Sequence, residues 1–184
     1  MKNAIIAMLP VLLASPALAG ICPDAPDHSS ALSELIAAVQ DAPNEMSARA
    51  FSSDMWALWA DAPDPYAQDL LDEGMERRRA YDYDGAIVAL DALVAYCPDY
   101  AEGYNQRAFV NFLRGDFAVA LPDLEKAIEL SPRHIAAMTG QALTLVGLDR
   151  KAEAALALRA ALKLNPWLSE RSLLPSLEAE EQEL

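Results

Sequence analysis

The chain has 184 residues, of which 53% are hydrophobic, and its 14 Lys and Arg against 28 Asp and Glu give a formal net charge of −14. This length suits one domain, and the apolar content is too high for a disordered chain. The negative charge disfavours nucleic acid and anionic lipid as partners, because both repel an acidic protein. Two His and two Cys leave little material for a transition-metal site, so we expect no metal and no cofactor.

Residues 1–19 have the pattern of a secretory signal peptide. Lys2 gives a positive start, an apolar run continues to Leu13, and small residues precede a cleavage point after Ala19. The run is shorter than the about 20 apolar residues that span a bilayer, so we expect no stable membrane insertion once the signal is removed. The pattern predicts export, and the short signal favours a bacterial periplasm.

Export changes how the two cysteines, Cys22 and Cys97, are interpreted. In an oxidising compartment, a single pair of cysteines indicates one disulfide bond. A pair of buried or free thiols is the alternative. A Cys22–Cys97 bond would tie the start of the exported chain to the rest of the molecule.

Residues 20–66 predict a lead segment and a degenerate helical hairpin. The lead segment covers Gly20–Ser30, and the two helices cover Ser33–Gln40 and Asn44–Trp59. The second helix has a strongly apolar end, which needs a partner surface. We expect the hairpin to stack on the helices that follow it in the chain.

A period of 34 residues organises residues 67–168. Prolines recur at this spacing, and so do small and large apolar residues, in the columns Pro98, Pro132 and Pro166; Ala86, Ala120 and Ala154; Leu90, Leu124 and Leu158; and Gly74, Ala108 and Ala142. A period of this length is typical of a repeated helix–turn–helix unit.

The pattern resembles the tetratricopeptide repeat (TPR) family, over units 67–100, 101–134 and 135–168. The middle unit carries most of the likeness, at Tyr104, Ala108, Gly115-Asp116-Phe117, Ala120, Leu124, Ala127 and Pro132. The third unit lacks the usual Gly and aromatic residue at its turn. The resemblance implies an all-α solenoid of antiparallel helix pairs. A capping helix is predicted from Trp167 to Glu183. The segment that follows the third unit, residues 169–184, therefore consists of this helix and an acidic tail.

In the resembled family, ligands lie along the first helix of each repeat. Carried over by register, the partner-binding positions are Leu71, Met75, Arg78, Asn105, Phe109, Phe112, Thr139, Leu143 and Val146. Several members hold a terminal carboxylate with a clamp of Lys, Arg and Asn, but Leu71, Met75, Ala136 and Gly140 stand at those places here. The strip is therefore expected to suit an amphipathic helix or an extended apolar segment of a partner. The alternative is that a terminal helix fills the groove and makes its aromatic residues part of the core.

The remaining polar residues suggest no catalytic site. His134 follows a repeat-ending proline, which favours an exposed loop position. Arg77-Arg78-Arg79 is the one basic cluster, and it is interpreted either as a set of cations in the last turn of a helix or as an anion contact at the groove. No Gly-rich phosphate loop and no Cys-x-x-Cys motif occurs.

Together these features predict a non-enzymatic periplasmic protein that mediates protein–protein or protein–peptide interaction through an apolar concave groove. Two alternatives remain. One is a structural protein that self-associates into a homo-oligomer, and the other is an accessory module of an envelope enzyme system.

Overall fold

The computed structural model describes residues 21–181, and all the regular structure in this range is helical. The predicted signal peptide lies outside the described residues. In chain order the helices are α1 Ser29–Gln40, α2 Glu45–Trp59, α3 Pro65–Arg79, α4 Tyr83–Tyr96, α5 Ala101–Arg114, α6 Phe117–Leu130, α7 Ile135–Gly147, α8 Lys151–Leu164, a 3₁₀ helix Ser169–Leu173, and α9 Leu174–Glu181.

The helices α3 to α8 form three antiparallel pairs, one in each predicted repeat. The second helix of each pair packs against the first helix of the next pair. The first pair begins at a defined cap, because the Asp64 carboxylate accepts a hydrogen bond of 2.8 Å from the backbone N–H of Ala67 and Pro65 occupies the first turn. The predicted all-α solenoid of helix pairs is confirmed.

The columns of small and large residues meet where the two helices of a pair cross. Ala86, Ala120 and Ala154 are completely buried. In the first pair, a Cβ atom at Gly74 would lie 2.7 Å from Cγ of Leu90, so only a residue without a side chain fits there. The small residues therefore set the close approach of the helices, and the leucines fill the space beside it.

The turn inside each repeat has the same backbone conformation in all three copies. Tyr81, Gly115 and Asp149, which are 34 residues apart, have φ angles of 62°, 81° and 58°. Glycine adopts positive φ without strain, and Asp tolerates it better than most residues. The third repeat thus keeps the turn although it lacks the glycine of the family pattern.

The N-terminal hairpin does not stack on the first repeat as predicted. It lies along the edge formed by the loops between repeats. Its second helix, α2, faces the first helices of the repeats. Its apolar face packs with residues at the start of α7 and around the end of α8, and this cluster contains Leu32, Ile36, Val39, Met55, Trp59, Ile135, Leu164, Trp167 and Leu168. The apolar surface of the loops explains the position, because the hairpin buries its own apolar stripe there.

Polar contacts fix the hairpin on this edge. Gln40 donates a hydrogen bond of 2.7 Å to the backbone carbonyl of Lys163, and Arg133 donates one of 2.6 Å to the Ser33 hydroxyl. The Asn165 amide donates to the hydroxyl of Ser52 at 3.1 Å. The hairpin is thus joined to the second and third repeats by residues that lie more than 95 positions away in sequence.

The C-terminal cap consists of two short helices where the sequence predicted one. The 3₁₀ helix turns the chain, and α9 then packs against α8 with Leu177 buried. Pro175 does not break α9, because it lies in the first turn of that helix, where its missing N–H has no partner to lose.

Cys22 and Cys97 form a disulfide bond with a Cα–Cα distance of 5.2 Å. The predicted pairing is confirmed. The bond closes a sequence separation of 75 residues and ties the extended N-terminal segment to the end of α4.

Candidate functional site

A groove runs between α2 and the first helices of the three repeats, α3, α5 and α7. Its unfilled part has a volume of about 450 Å³. The hairpin helix α2 forms one wall with Met55, Trp56 and Trp59, and α5 and α7 form the floor. The alternative prediction is that a terminal helix fills the groove. It is correct only in part, because α2 covers one side of the groove and leaves the rest unfilled.

Six of the nine predicted groove residues line this space: Arg78, Asn105, Phe109, Phe112, Thr139 and Leu143. Leu71 and Met75 do not, and their prediction as surface residues is wrong. Both are buried in the core of the first repeat, because the groove begins nearer the end of α3. Val146 packs with the core of the third repeat.

The groove keeps two aromatic side chains partly open to solvent. Phe109 on α5 is 42% exposed and Trp56 on α2 is 40% exposed. Phe112 is more enclosed, since its ring packs against that of Phe117 with 5.3 Å between the centroids. The accessible aromatic surface therefore belongs to Phe109 and Trp56.

Arg78 is the basic residue of the groove. Its guanidinium lies over the Phe109 ring, 4.5 Å from the centroid, and its Nη1 donates a hydrogen bond of 2.9 Å to Oε1 of Gln106. Burial lowers the pKa of Arg78, the neighbouring positive charge of Arg79 adds to this, and the negative charge of Glu102 opposes it. The surroundings thus favour the positive charge less than water does.

Two arginines of the basic cluster, Arg77 and Arg78, have different roles. Arg77 pairs with Glu73 and with Asp82, each at 2.8 Å, and so stabilises the helix end and the following turn. Arg78 faces the groove. The interpretation as favourable cations at a helix end fits Arg77, while the interpretation as a groove contact fits Arg78.

A buried polar network lies beneath the groove, and the sequence did not predict it. His134, expected in an exposed loop, is completely buried, and its Nε2 lies 2.8 Å from Oε2 of Glu102. The backbone N–H of Ala137 donates to His134 Nδ1, so the ring proton is on Nε2 and is donated to the carboxylate. The amides of Asn105 and Gln106 also donate to Glu102.

Trp59 connects this network to the hairpin. Its ring stacks on the His134 ring with 4.3 Å between centroids and 14° between planes. Its backbone carbonyl accepts a hydrogen bond of 2.8 Å from the Tyr100 hydroxyl. The groove therefore rests on a rigid base in which every buried charge has partners.

The described residues lack two further kinds of feature, a cluster of metal ligands and a membrane-spanning helix. Between residues 21 and 181, no three or more His, Cys, Asp or Glu side chains converge as a metal ion would require. In the same range, none of the helices combines the length and the apolar character needed to cross a bilayer.

No family model matches the chain. A TPR repeat-containing protein from Rhizobium etli is 36% identical over 74 residues, which are 40% of this chain and 35% of that protein. The chain thus matches about a third of the length of the curated relatives, 35% and 36% for the first two.

Solved structures agree with the fold. The first TPR of Spaghetti (RPAP3) bound to an HSP90 peptide has a TM-score of 0.61 at 23% identity, over 63% of this chain and 93% of that one. The TPR2B domain of yeast Sti1 in its pHsp70 complex has a TM-score of 0.57 at 26% identity, over 65% of this chain and 99% of that one. Repeat register and comparisons agree: the chain has the fold of tetratricopeptide repeat domains and is similar in sequence to tetratricopeptide repeat proteins.

Proposed function

We propose that this protein is a non-enzymatic interaction module that binds a segment of another protein in the open part of its groove. The observation that carries the proposal is the pair Phe109 and Trp56, both about two-fifths exposed beside an unfilled apolar space. Partly exposed aromatic residues in an apolar depression are typical of interaction sites, because a partner that covers them removes apolar surface from water.

The related structures support a protein ligand. The Spaghetti domain is bound to a peptide of HSP90 and the Sti1 domain is in a complex with pHsp70. The groove of this chain lies on the first helices of its repeats, and α2 covers one side of it. The partner is therefore a segment that fits beside α2.

We also propose that the protein acts in the periplasm. The signal-like start of the sequence supports export, and the Cys22–Cys97 bond is of the kind that forms in oxidising compartments. The formal net charge of −14 would repel acidic competitors and so contribute to selectivity.

Affinity capture from a bacterial envelope extract tests the binding role. Three disulfide-intact baits are compared: the native protein, Phe109→Ala, and Val119→Ala. Val119 is the matched control, because it is an apolar residue that is 59% exposed but does not line the groove. We expect a partner that native protein and Val119→Ala retain and that Phe109→Ala loses.

The same variants separate binding from folding. Since Phe109 is 42% exposed, its truncation should shift Tm by only a few degrees, whereas truncation of a buried Phe costs about 3–5 kcal/mol. A strong loss of stability in Phe109→Ala would assign that ring to the core. Equal capture by all three baits would refute the groove as the binding site.

A further inference from the structure

We propose that the outward face of α4, formed by Val88, Ala92 and Ala95, is a second docking surface. It takes an amphipathic helix of a partner protein that carries Lys or Arg beside its apolar stripe. The α4 face is separate from the groove of the proposed function, because none of its three residues lines that groove. Three properties support the proposal: the apolar character of the face, its small residues, and the sign of the charges around it.

The α4 face is an apolar stripe that no other part of the described chain covers. Val88 is 71% exposed, and Ala92 and Ala95 are exposed as well. The three residues follow one another at spacings of four and three, so they lie on one side of the helix. The apolar stripe of a surface helix normally faces the core, and a continuous apolar stripe that faces water marks an interaction site.

The stripe continues into a surface depression at the end of α4. The depression has a volume of about 910 Å³, and Ala92 and Ala95 belong to its lining. Tyr66 of α3 and Ile21 of the N-terminal segment also line it, and both side chains are exposed. A helix that lies along α4 would therefore remove these two large side chains from water together with the stripe.

The corresponding positions of the other repeats do not form such a face. The second helix of each repeat has three residues at these positions, which are Pro122, Lys126 and Glu129 in α6 and Leu156, Ala160 and Lys163 in α8. Both helices thus carry charged residues where α4 carries alanine. The continuous apolar stripe is therefore a property of α4 and not a requirement of the repeat.

The small side chains of the α4 face favour a helix as the ligand. Alanine at a crossing lets two helix axes approach to about 8 Å, the close end of the usual range. A second helix presents apolar side chains at the same spacings of three and four residues, so the two stripes can interlock. An extended segment gains less here, because the backbone groups of α4 are bonded within the helix and offer it no partners.

Two carboxylates flank Val88 on the same side of α4. Asp84 precedes it by four positions and Asp91 follows it by three. Asp84 pairs with Arg114 at 3.0 Å, and Asp91 pairs with Arg107 at 2.8 Å. In both pairs the carboxylate side chain is the more exposed partner. The face therefore presents negative charge outward, and each carboxylate has oxygen lone pairs left for a second cation.

The depression carries charge of the same sign. Asp24 and Asp99 line it and are exposed, and its described lining contains no Lys, Arg or His. Charges across an interface are complementary, so a partner with Lys or Arg beside its apolar stripe is favoured and an acidic partner is repelled. A second copy of this chain is disfavoured for the same reason, since each copy has a formal net charge of −14.

Selection from a library of helical peptides on the immobilised, disulfide-intact protein tests this surface. The peptides have 14 residues, as α4 has, with a fixed stripe of Leu and random residues on its flanks. We expect the enriched peptides to carry Lys or Arg rather than Asp or Glu on these flanks. One enriched peptide is then synthesised together with a version in which Glu replaces each basic residue, and binding is measured by fluorescence anisotropy.

Val88→Arg tests the stripe, and Leu156→Arg is its matched control. Leu156 occupies the position of Val88 two repeats later and is 59% exposed, so both variants place the same side chain at the same exposed helix position. We expect Val88→Arg to weaken the basic peptide about tenfold or more, because it removes an apolar contact and adds a like charge. Leu156→Arg and Phe109→Ala should bind the peptide as the native protein does.

Asp99→Asn tests the charge of the depression. We expect it to weaken the basic peptide about two- to fivefold, the effect of one exposed ion pair, and to leave the Glu version unchanged. Asp54→Asn is the matched control, because Asp54 is an exposed carboxylate of α2 that does not line the depression. It should change the binding of neither peptide.

Three results would overturn the proposal. Enriched peptides with acidic flanks, or equal binding to the native protein and Val88→Arg, would show that the α4 face does not take a basic helix. A peptide that Phe109→Ala loses and Val88→Arg keeps binds in the groove, which leaves the proposed function intact. A dimer in sedimentation that Val88→Arg dissociates and Leu156→Arg does not would assign the face to a second copy of the chain.

Discussion

Glu102 and His134 form a hydrogen bond of 2.8 Å across 32 residues of sequence, and neither side chain is accessible to solvent. Glu102 lies in the first turn of α5 and His134 immediately precedes α7, so the pair joins the second repeat to the third. Because Trp59 stacks on the imidazole, the same pair also positions the hairpin wall of the groove.

Glu102→Ala should destabilise the protein by about 3 kcal/mol or more. The change leaves the His134 ring N–H and the amides of Asn105 and Gln106 without their acceptor, and an unsatisfied buried donor costs about 1–3 kcal/mol. Denaturant unfolding measures the loss. Glu76→Ala on the exposed face of α3 should stay within about 0.5 kcal/mol, and a similarly small effect of Glu102→Ala would show that the network contributes little.

Ala120→Leu should destabilise the protein whatever the groove binds. Ala120 is completely buried where α5 and α6 cross, so a larger side chain forces the helices apart at a cost of about 1–3 kcal/mol. The adjacent change Val119→Leu lies on an exposed surface and should be nearly neutral. Equal thermal stability of the two variants would contradict the assigned repeat register.

Reduction of the disulfide should lower the free energy of unfolding by about 4 kcal/mol, which is the chain-entropy value for a loop of this size. The bond joins residues 75 apart, and the segment before α1 depends on it for attachment to α4. Denaturation with and without dithiothreitol measures the effect. A Cys22→Ser, Cys97→Ser double variant should match the reduced protein and show no response to the reductant.

Acid should weaken the link between the hairpin and the C-terminal cap. The pKa of Glu45 is lowered, mainly by its hydrogen bond from Arg49 and then by that from Arg171. A carboxyl with a lowered pKa in the folded state contributes stability above its ordinary pKa of about 4.3, and this contribution is lost as pH falls through the lower folded value.

We therefore expect Glu45→Gln to be less stable than the native protein at neutral pH and equal to it once the pH lies below the lowered folded-state pKa of Glu45, where both carry an uncharged group. Glu34→Gln, at an exposed position of α1, serves as the control and should not differ from the native protein at either pH. A difference between Glu45→Gln and native protein that persists in acid would mean that the ion pairs are not its cause.

The sequence predicted those parts of the fold that repeat. Columns such as Ala86, Ala120 and Ala154 recur because every helix crossing has the same steric requirement, so a period of 34 reveals them. The hairpin has no repeat, and its position depends on apolar surface that the start of α7 and the region around the end of α8 supply together. Local sequence could predict its two helices but not where they pack.

The buried position of His134 had a signal in the repeat register. Tyr100 stands 34 residues earlier, and it is also buried and also hydrogen-bonded across the loop edge. The side chains at this repeat position therefore point inward in two consecutive repeats. The partner of His134 had no such signal, because a Glu in the first turn of a helix is common on the surface.

Site-specific photo-crosslinking tests the central claim most directly. A photoreactive phenylalanine analogue replaces Phe109 in one sample and Val119 in another, and each disulfide-intact protein is irradiated in envelope extract. We predict a crosslinked partner protein at position 109 and none at position 119. Equal crosslinking at both positions, or crosslinking at 119 alone, would contradict the groove as the place where this protein binds its partner.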